Sequence, residues 1–208
     1  MEQGSKQWHK ERLGKITASN AHKIMAPRGL GKTGETYVYE LVSGEMGVYM
    51  EDVTSAAMRW GTDLEDDARE YYSIAFNVEV EQKGFIHNGK NFECGFSPDG
   101  IVNDEIGQEI KCPYNPGNHV KHLTIKSAAD LKELSKEYYW QIMFSMWCSG
   151  LKKWHFVSYD PRFTGSQRMH VVPIGANEKE FEIIEARVKE ALELKETILN
   201  KINHENNN

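Results

Sequence analysis

The order of helical and strand patterns along the 208 residues predicts an α/β fold in which helices flank a central mixed β-sheet. Three observations carry this expectation. Strand-like runs group in the middle of the chain with helical runs on either side. The segment Ser97 to Lys111 combines turn formers with the alternation of a β-hairpin. The length suits one domain with a substantial core.

Helical spacing of apolar residues is read at about Ser19 to Met25, Thr36 to Met46, Asp63 to Phe76, Asp130 to Leu134, Lys136 to Cys148 and Glu178 to Ile202. Short β-branched or alternating runs predict strands at Val78 to Gln82, Phe92 to Phe96, Ile101 to Asn103, Gln108 to Cys112, Trp154 to Tyr159 and Met169 to Pro173. The last helix has Asn177 as N-cap, Glu180 three residues on, and Phe181, Ile184, Val188, Leu192, Ile198 and Ile202 along one face. That stripe suits packing against the domain, and a subunit contact would use the same residues. Residues 1–203 are expected to form the domain, with 204–208 a disordered polar tail.

The chain holds 31 acidic and 25 basic residues, so any contact with a polyanion must be local. Residues 1–32 carry seven Lys or Arg against Glu2 and Glu11, whereas residues 35–70 carry ten acids against Arg59 and Arg69. Cys94, Cys112 and Cys148 are odd in number and lack a Cys-x-x-Cys pair, which argues against a disulfide framework, a zinc ribbon and a four-cysteine iron-sulfur cluster. Reduced thiols in a cytoplasmic protein are expected. No apolar run approaches a membrane span and the N-terminus lacks a signal-type apolar stretch.

The hairpin carries the chemistry. With its turn centred on Asp104, antiparallel partners have numbers summing to 208, which sets Asp99 opposite Glu109 with β-carbons roughly 5 Å apart. Alternation sends Glu109 and Lys111 to one face with Asp99, and Val102, Ile106 and Ile110 to the other, so one face should be core and the other chemistry. Facing carboxylates repel unless a divalent cation lies between them, and oxygen ligands point to Mg²⁺, for which Mn²⁺ could substitute. From the hairpin alone, a solvated ion pair on an exposed face is an equally good reading. Glu-x-Lys also occurs at Glu81 to Lys83 and at Glu193 to Lys195.

Five motifs in order favour the metal site: W-H-K-E-R-L-G-K-I-T-A-S from Trp8, G-T-D-L-E from Gly61, S-P-D-G from Ser97, Q-E-I-K from Gln108 and Y-Y-W-Q from Tyr138. Together they closely resemble the lambda exonuclease family, also called the YqaJ viral recombinase family, a branch of the PD-(D/E)-x-K nucleases. The resemblance runs from about Trp8 to about Asp160. It implies a restriction-endonuclease-like core and a Mg²⁺-dependent 5′-to-3′ exonuclease of linear double-stranded DNA. Such an enzyme leaves a 3′ single-stranded tail for a single-strand annealing partner in phage-type recombination, in the bacterial host cytoplasm. A homotrimeric ring around DNA is implied in the same way.

The resemblance also implies roles residue by residue. Asp99, Glu109 and the Ile110 carbonyl would hold the metal, and Lys111 would orient or deprotonate the attacking water. A lysine of ordinary pKa near ~10.4 is a poor base, so its alternative role is to stabilise charge on the phosphate. Glu65 would support a second metal or its waters, although Thr62 to Glu65 also fits a capping box. Gln141 would contact the water or scissile phosphate, although an amide on a helix needs no such role. Arg12, Ser19 and Ser97 would form a 5′-phosphate pocket, which Trp8 and Thr17 would line. The residues alone admit a solvated arginine, a serine N-cap before Asn20 and a core tryptophan. Met58 would be a wedge between terminal base pairs, or a filler of a core gap.

Gly31-Lys32-Thr33 is not a P-loop, because Ala26 stands where the first glycine is required and the preceding segment reads as a helix. No paired histidine spacing indicates a metal site. Two alternatives remain at this point: a related endonuclease or single-strand nuclease, and a DNA-end-binding module without catalysis.

Overall fold

A computed structural model describes residues 2–48, 55–90 and 93–205. In chain order the elements are α1 (Lys6–Arg12), β1 (Ile16–Thr17), a 3₁₀ helix (Ala18–Ile24), α2 (Gly31–Glu45), α3 (Ala56–Phe76), β2 (Val80–Glu81), β3 (Ile86–His87) and β4 (Cys94–Phe96). They continue with β5 (Gly100–Val102), β6 (Ile106–Lys111), α4 (Pro116–His122), α5 (Ala128–Leu134), α6 (Lys136–Ser149), β7 (Lys153–Tyr159), β8 (Met169–Gly175) and α7 (Glu178–Glu205). Residue Phe92 of the strand expected from 92 to 96 lies outside the described residues, as do 206–208 of the expected tail. His204 and Glu205 continue α7 past the expected boundary.

The main sheet has five strands in the order β2-β5-β6-β7-β8, antiparallel throughout except for the parallel β6–β7 pair. A smaller sheet, β1-β4-β3, brings the N-terminal segment to the chain just before the hairpin. Alternation along the main strands feeds two cores. Trp154, Phe156, Val172 and Ile174 point toward α2, α6, α7 and the 3₁₀ helix, where Ile142, Phe144, Ile184 and Val188 meet them. Val102, Ile110, Val157 and Tyr159 point the other way, onto Ala68 and Tyr72 of α3. Both faces of the sheet are therefore covered, which corrects the expectation of one core face and one open chemical face. Chemistry is confined to the end of the hairpin, where α3 and α6 leave a gap.

Where the hairpin strand β6 lies beside β7, space is tight. A β-carbon at Gly107 would fall on the indole of Trp154, which is fully buried. Gly107→Ala is therefore expected to destabilise the protein by about 1–3 kcal/mol through overpacking, measured by denaturant unfolding against wild type.

The elements not read from sequence are short or exposed. Helix α1 buries no side chain, although Ser5 caps it by accepting the Trp8 amide. The strands β1 and β3 have two residues each. For α4, Asn115 as cap and Pro116 in the first turn were a usable start signal. Helix α3 begins seven residues earlier than expected because Ser55 caps it through the Met58 amide. Its first turn is exposed and so has no apolar period. Glu65 is thus in the helix interior, and the capping-box reading of Thr62 to Glu65 is overturned. Ser19 is likewise not an N-cap: the 3₁₀ helix starts at Ala18, behind Thr17. In α7, Asn177 accepts from the Lys179 amide, while Glu180 turns to Lys132 and Tyr139. The buried Ile184, Val188 and Ile198 show the apolar stripe packed on the domain.

Candidate active site

The β5–β6 hairpin has the expected register: Gly100 faces Gln108, Ile101 faces Gly107 and Val102 faces Ile106. Its turn closes with the Glu105 amide donating to Val102 O at 3.0 Å. Asn103 and Asp104 both take the left-handed conformation, at φ 51° and 56°, which these two residue types tolerate best after glycine. Beyond the last strand pair, the Asp99 amide donates to Gln108 O at 3.2 Å, and the Ile110 amide donates to Asp99 Oδ2 at 2.6 Å.

Glu109 is 1% exposed and pairs with the Lys111 ammonium at 2.5 Å. Neither of its carboxylate oxygens accepts a well-aligned hydrogen bond among the described residues. Burial raises the Asp99 carboxyl well above the carboxylate range, and the charges of Glu109 and Glu65 add to it. Burial also raises Glu109, against the pull of Lys111. For Lys111, burial alone would lower the pKa, but the carboxylates of Glu109 and Asp99 outweigh it and hold the ammonium form. The ammonium also lies 4.9 Å from the centre of the Tyr138 ring, which α6 brings over the site.

Helix α3 supplies Glu65, which accepts from Arg69 Nη1 at 2.6 Å. The same nitrogen donates to the Asp99 carbonyl at 2.9 Å, and Arg69 also pairs with Asp66. Arg69 thus ties helix to hairpin, a role that no sequence pattern announced. Glu65, Asp99, Ile110, Lys111, His122 and Tyr138 line one cavity of about 750 Å³, with Met58 at 49% exposure also on its wall. Met58 is therefore not a core filler. Gln141 lies half-buried one turn beyond Tyr138 on α6.

The groups that could hold a divalent cation are Asp99, Glu109 and the Ile110 carbonyl. Among the described residues no three His, Cys, Asp or Glu side chains cluster as a metal-holding group. Two carboxylates completed by water are nonetheless the usual protein contribution to a Mg²⁺ site. The buried, donor-poor oxygens of Glu109 fit such a cation.

A second cluster abuts the hairpin. Arg12 Nη2 donates to Ser19 Oγ at 3.1 Å, Ser19 and Thr17 hydroxyls lie 3.2 Å apart, and Trp8 Nε1 donates to Ser97 Oγ at 2.9 Å. The Arg12 guanidinium stacks 4.0 Å from the Trp8 ring centre. All five residues expected here are brought together, and one of them, Ser97, lies two positions before Asp99 in the chain.

Two histidines also meet beside the site. His119 and His122 each place Nδ1 2.8 Å from Ser158 Oγ, and His119 Nε2 lies 2.8 Å from the Gln167 carbonyl. A carbonyl only accepts, so the His119 proton is on Nε2, Ser158 donates to His119, and His122 donates through Nδ1. Burial, with the nearby charge of Lys111, lowers His122 to about 4, so it is neutral at physiological pH. The pair converges on the Ser158 hydroxyl.

A mixed sheet between helices, with two carboxylates and a lysine at the end of one hairpin, is the restriction-endonuclease-like architecture, and the class is nuclease. The YqaJ-like viral recombinase domain matches residues 7–152, and the chain belongs to that family. The alkaline exonuclease LHK-Exo from Laribacter hongkongensis is 30% identical over 97% of both chains, with a TM-score of 0.83. A structure of LHK-Exo in complex with dAMP is similar at 29% identity, 97% of both chains and a TM-score of 0.82. A phage-related exonuclease from Haemophilus somnus 129PT shares the fold at 16% identity, covering 90% of this chain and 96% of its own, with a TM-score of 0.73. No match is found among curated proteins. No helix among the described residues is long and apolar enough to cross a membrane.

Proposed function

We propose that this protein is a Mg²⁺-dependent 5′-to-3′ exonuclease that degrades one strand of linear double-stranded DNA and leaves a 3′ single-stranded tail. The observation that carries the reading is the juxtaposition of two clusters that share the short segment Ser97 to Lys111. The donor-poor Glu109 carboxylate, Asp99 and Lys111 stand at one end, and the Arg12, Ser19 and Ser97 cluster at the other. A cation held by Asp99, Glu109 and the Ile110 carbonyl would supply Lewis-acid stabilisation of the charge that develops on the phosphate oxygens.

The chain's own groups do the rest. Lys111, held as an ammonium, stabilises negative charge on the scissile phosphate and orients water. Arg69 holds Glu65 and the Asp99 carbonyl in place, so Glu65 supports a second metal or its waters only when Arg69 yields part of its grip. Gln141 contacts the water or phosphate from α6. Arg12, Ser19 and Ser97 take the 5′-terminal phosphate, Trp8 and Thr17 shape that pocket, and the exposed Met58 enters between the terminal base pairs. Mn²⁺ would replace Mg²⁺. The reading extends to a trimeric ring, a single-strand annealing partner and action in a phage-infected bacterial cytoplasm.

The test is linear duplex DNA with 5′-phosphate or 5′-hydroxyl ends, incubated with wild-type or Lys111→Ala protein in Mg²⁺ and in EDTA, beside closed circular DNA. Mononucleotide release from linear DNA that needs both Mg²⁺ and Lys111 is expected. Cleavage of the circle would favour an endonuclease, and binding without degradation would leave an end-binding module.

A further inference from the structure

Past Lys111 the chain leaves the sheet through Cys112 and Pro113 and reaches Tyr114 on the wall of the same cavity. Lys111 and Tyr114, three residues apart in the chain, line this one cavity, so a nucleotide whose phosphate lies at the lysine shares it with the ring. Tyr114 is 55% exposed, and its hydroxyl takes part in no hydrogen bond among the described residues. More than half of a large aromatic side chain is thus left open to the cavity.

Beneath it, ring contacts and hydrogen bonds tie several residues together. The Trp60 ring meets Tyr114 edge to face, with centres 6.0 Å apart and planes at 79°. The Arg162 guanidinium covers Trp60 at 4.7 Å. Arg162 also donates to the carbonyls of Pro113 at 3.0 Å and Tyr114 at 3.1 Å, clamping the backbone that carries the ring. The clamp is itself fixed by Asp160, which is fully buried and accepts from Arg162 Nε at 2.8 Å and Nη2 at 2.7 Å. Among the described residues the Trp60 indole N–H has no acceptor, so ring contact, not hydrogen bonding, accounts for its position. Met58 and Leu134, 49% and 41% exposed, line the same cavity. One cavity thus holds carboxylates and a lysine together with exposed apolar and aromatic side chains, chemistry that suits the phosphate and the base of a nucleotide.

We propose that Tyr114, backed by Trp60 and Arg162, is a stacking platform for an unpaired nucleobase of the DNA strand whose phosphate lies at Lys111. This rests on the nuclease reading above. The base must be unpaired because a base inside a duplex has both faces covered, and the platform accepts any base because every base has a π-face. The platform would hold the unpaired nucleotide open while the phosphodiester that joins it to the next nucleotide is attacked, a separate task from parting the pair.

The experiment compares duplexes whose recessed 5′ end carries two unpaired nucleotides, either with bases or abasic. Binding is measured by fluorescence anisotropy in EDTA, and hydrolysis in Mg²⁺, for wild type, Tyr114→Ala and Tyr114→Phe of matched thermal midpoint. Removing the bases should weaken wild-type binding roughly five- to a hundredfold. Tyr114→Ala should show that same loss on the base-bearing duplex and no further loss on the abasic one, while Tyr114→Phe behaves as wild type. Equal sensitivity to base removal in wild type and Tyr114→Ala would overturn the platform. Because binding is read without turnover, absence of hydrolysis by wild type would overturn the nuclease reading and leave this comparison intact.

Discussion

Asp99→Asn is expected to abolish DNA hydrolysis, by about 10³-fold or more, while leaving the protein as stable as wild type or more so in EDTA. The amide oxygen of asparagine can still accept the Ile110 N–H that Asp99 Oδ2 accepts at 2.6 Å, so the hairpin keeps its geometry. What disappears is a charge the fold resists, since burial and the neighbouring Glu109 and Glu65 push the Asp99 carboxyl well above its ordinary range. The sign follows from linkage. A carboxyl whose folded pKa is raised costs stability once the pH exceeds its unfolded value, and the cost is complete above its folded value. In EDTA, the stability of wild type should therefore fall across that interval relative to Asp99→Asn. A relief of ~1 kcal/mol would move the thermal midpoint by about 2–4 °C in a protein of this size. Added Mg²⁺ should raise the midpoint of wild type and not of the variant, because only a state that binds the ion is stabilised by it. Thermal scans over pH with EDTA or Mg²⁺ check this, and Mg²⁺ stabilisation of Asp99→Asn equal to that of wild type would remove Asp99 from the metal site.

The second large effect is expected at Arg12. Arg12→Ala should reduce degradation of 5′-phosphorylated duplex by about 10- to 100-fold, the worth of hydrogen bonds to a charged group, and leave degradation from 5′-hydroxyl ends almost unchanged. Arg12→Lys should recover only part of the loss, because an ammonium keeps the charge but lacks the planar fork. The guanidinium is already oriented by Ser19 at 3.1 Å and by the Trp8 ring at 4.0 Å, so little ordering remains to be done when a phosphate arrives. The comparison is initial rates on the two ends for the three proteins. An equal fractional loss on both ends would show that Arg12 only supports the fold near Trp8.

The hairpin was legible because its information is local. Asn103 and Asp104 set the turn, alternation sets the faces, and a register with sums of 208 follows from those two facts. The long helix α7 was legible because one face is buried, and α6 because it is apolar nearly all round and buried among the other elements. Helix α1 and the first turn of α3 were not, since an exposed helix has no apolar period and is declared only by its cap. Glu65 was named but misread locally. Its partner Arg69 lies one turn along, and the meaning of that pair depends on the Asp99 carbonyl 30 residues further along the chain.

By itself the sequence determined the class of fold, the carboxylate-lysine hairpin and, through spaced motifs, the family. Those rest on short-range patterns of side-chain alternation, turn chemistry and order along the chain. Only the tertiary structure decided that both faces of the sheet are covered, that Arg69 tethers Glu65 to the hairpin, that His119 and His122 share Ser158, and that Trp60 and Arg162 stand behind Tyr114. Each of these joins residues from separate elements. Local preferences say how a segment folds, whereas these contacts depend on how the segments pack together.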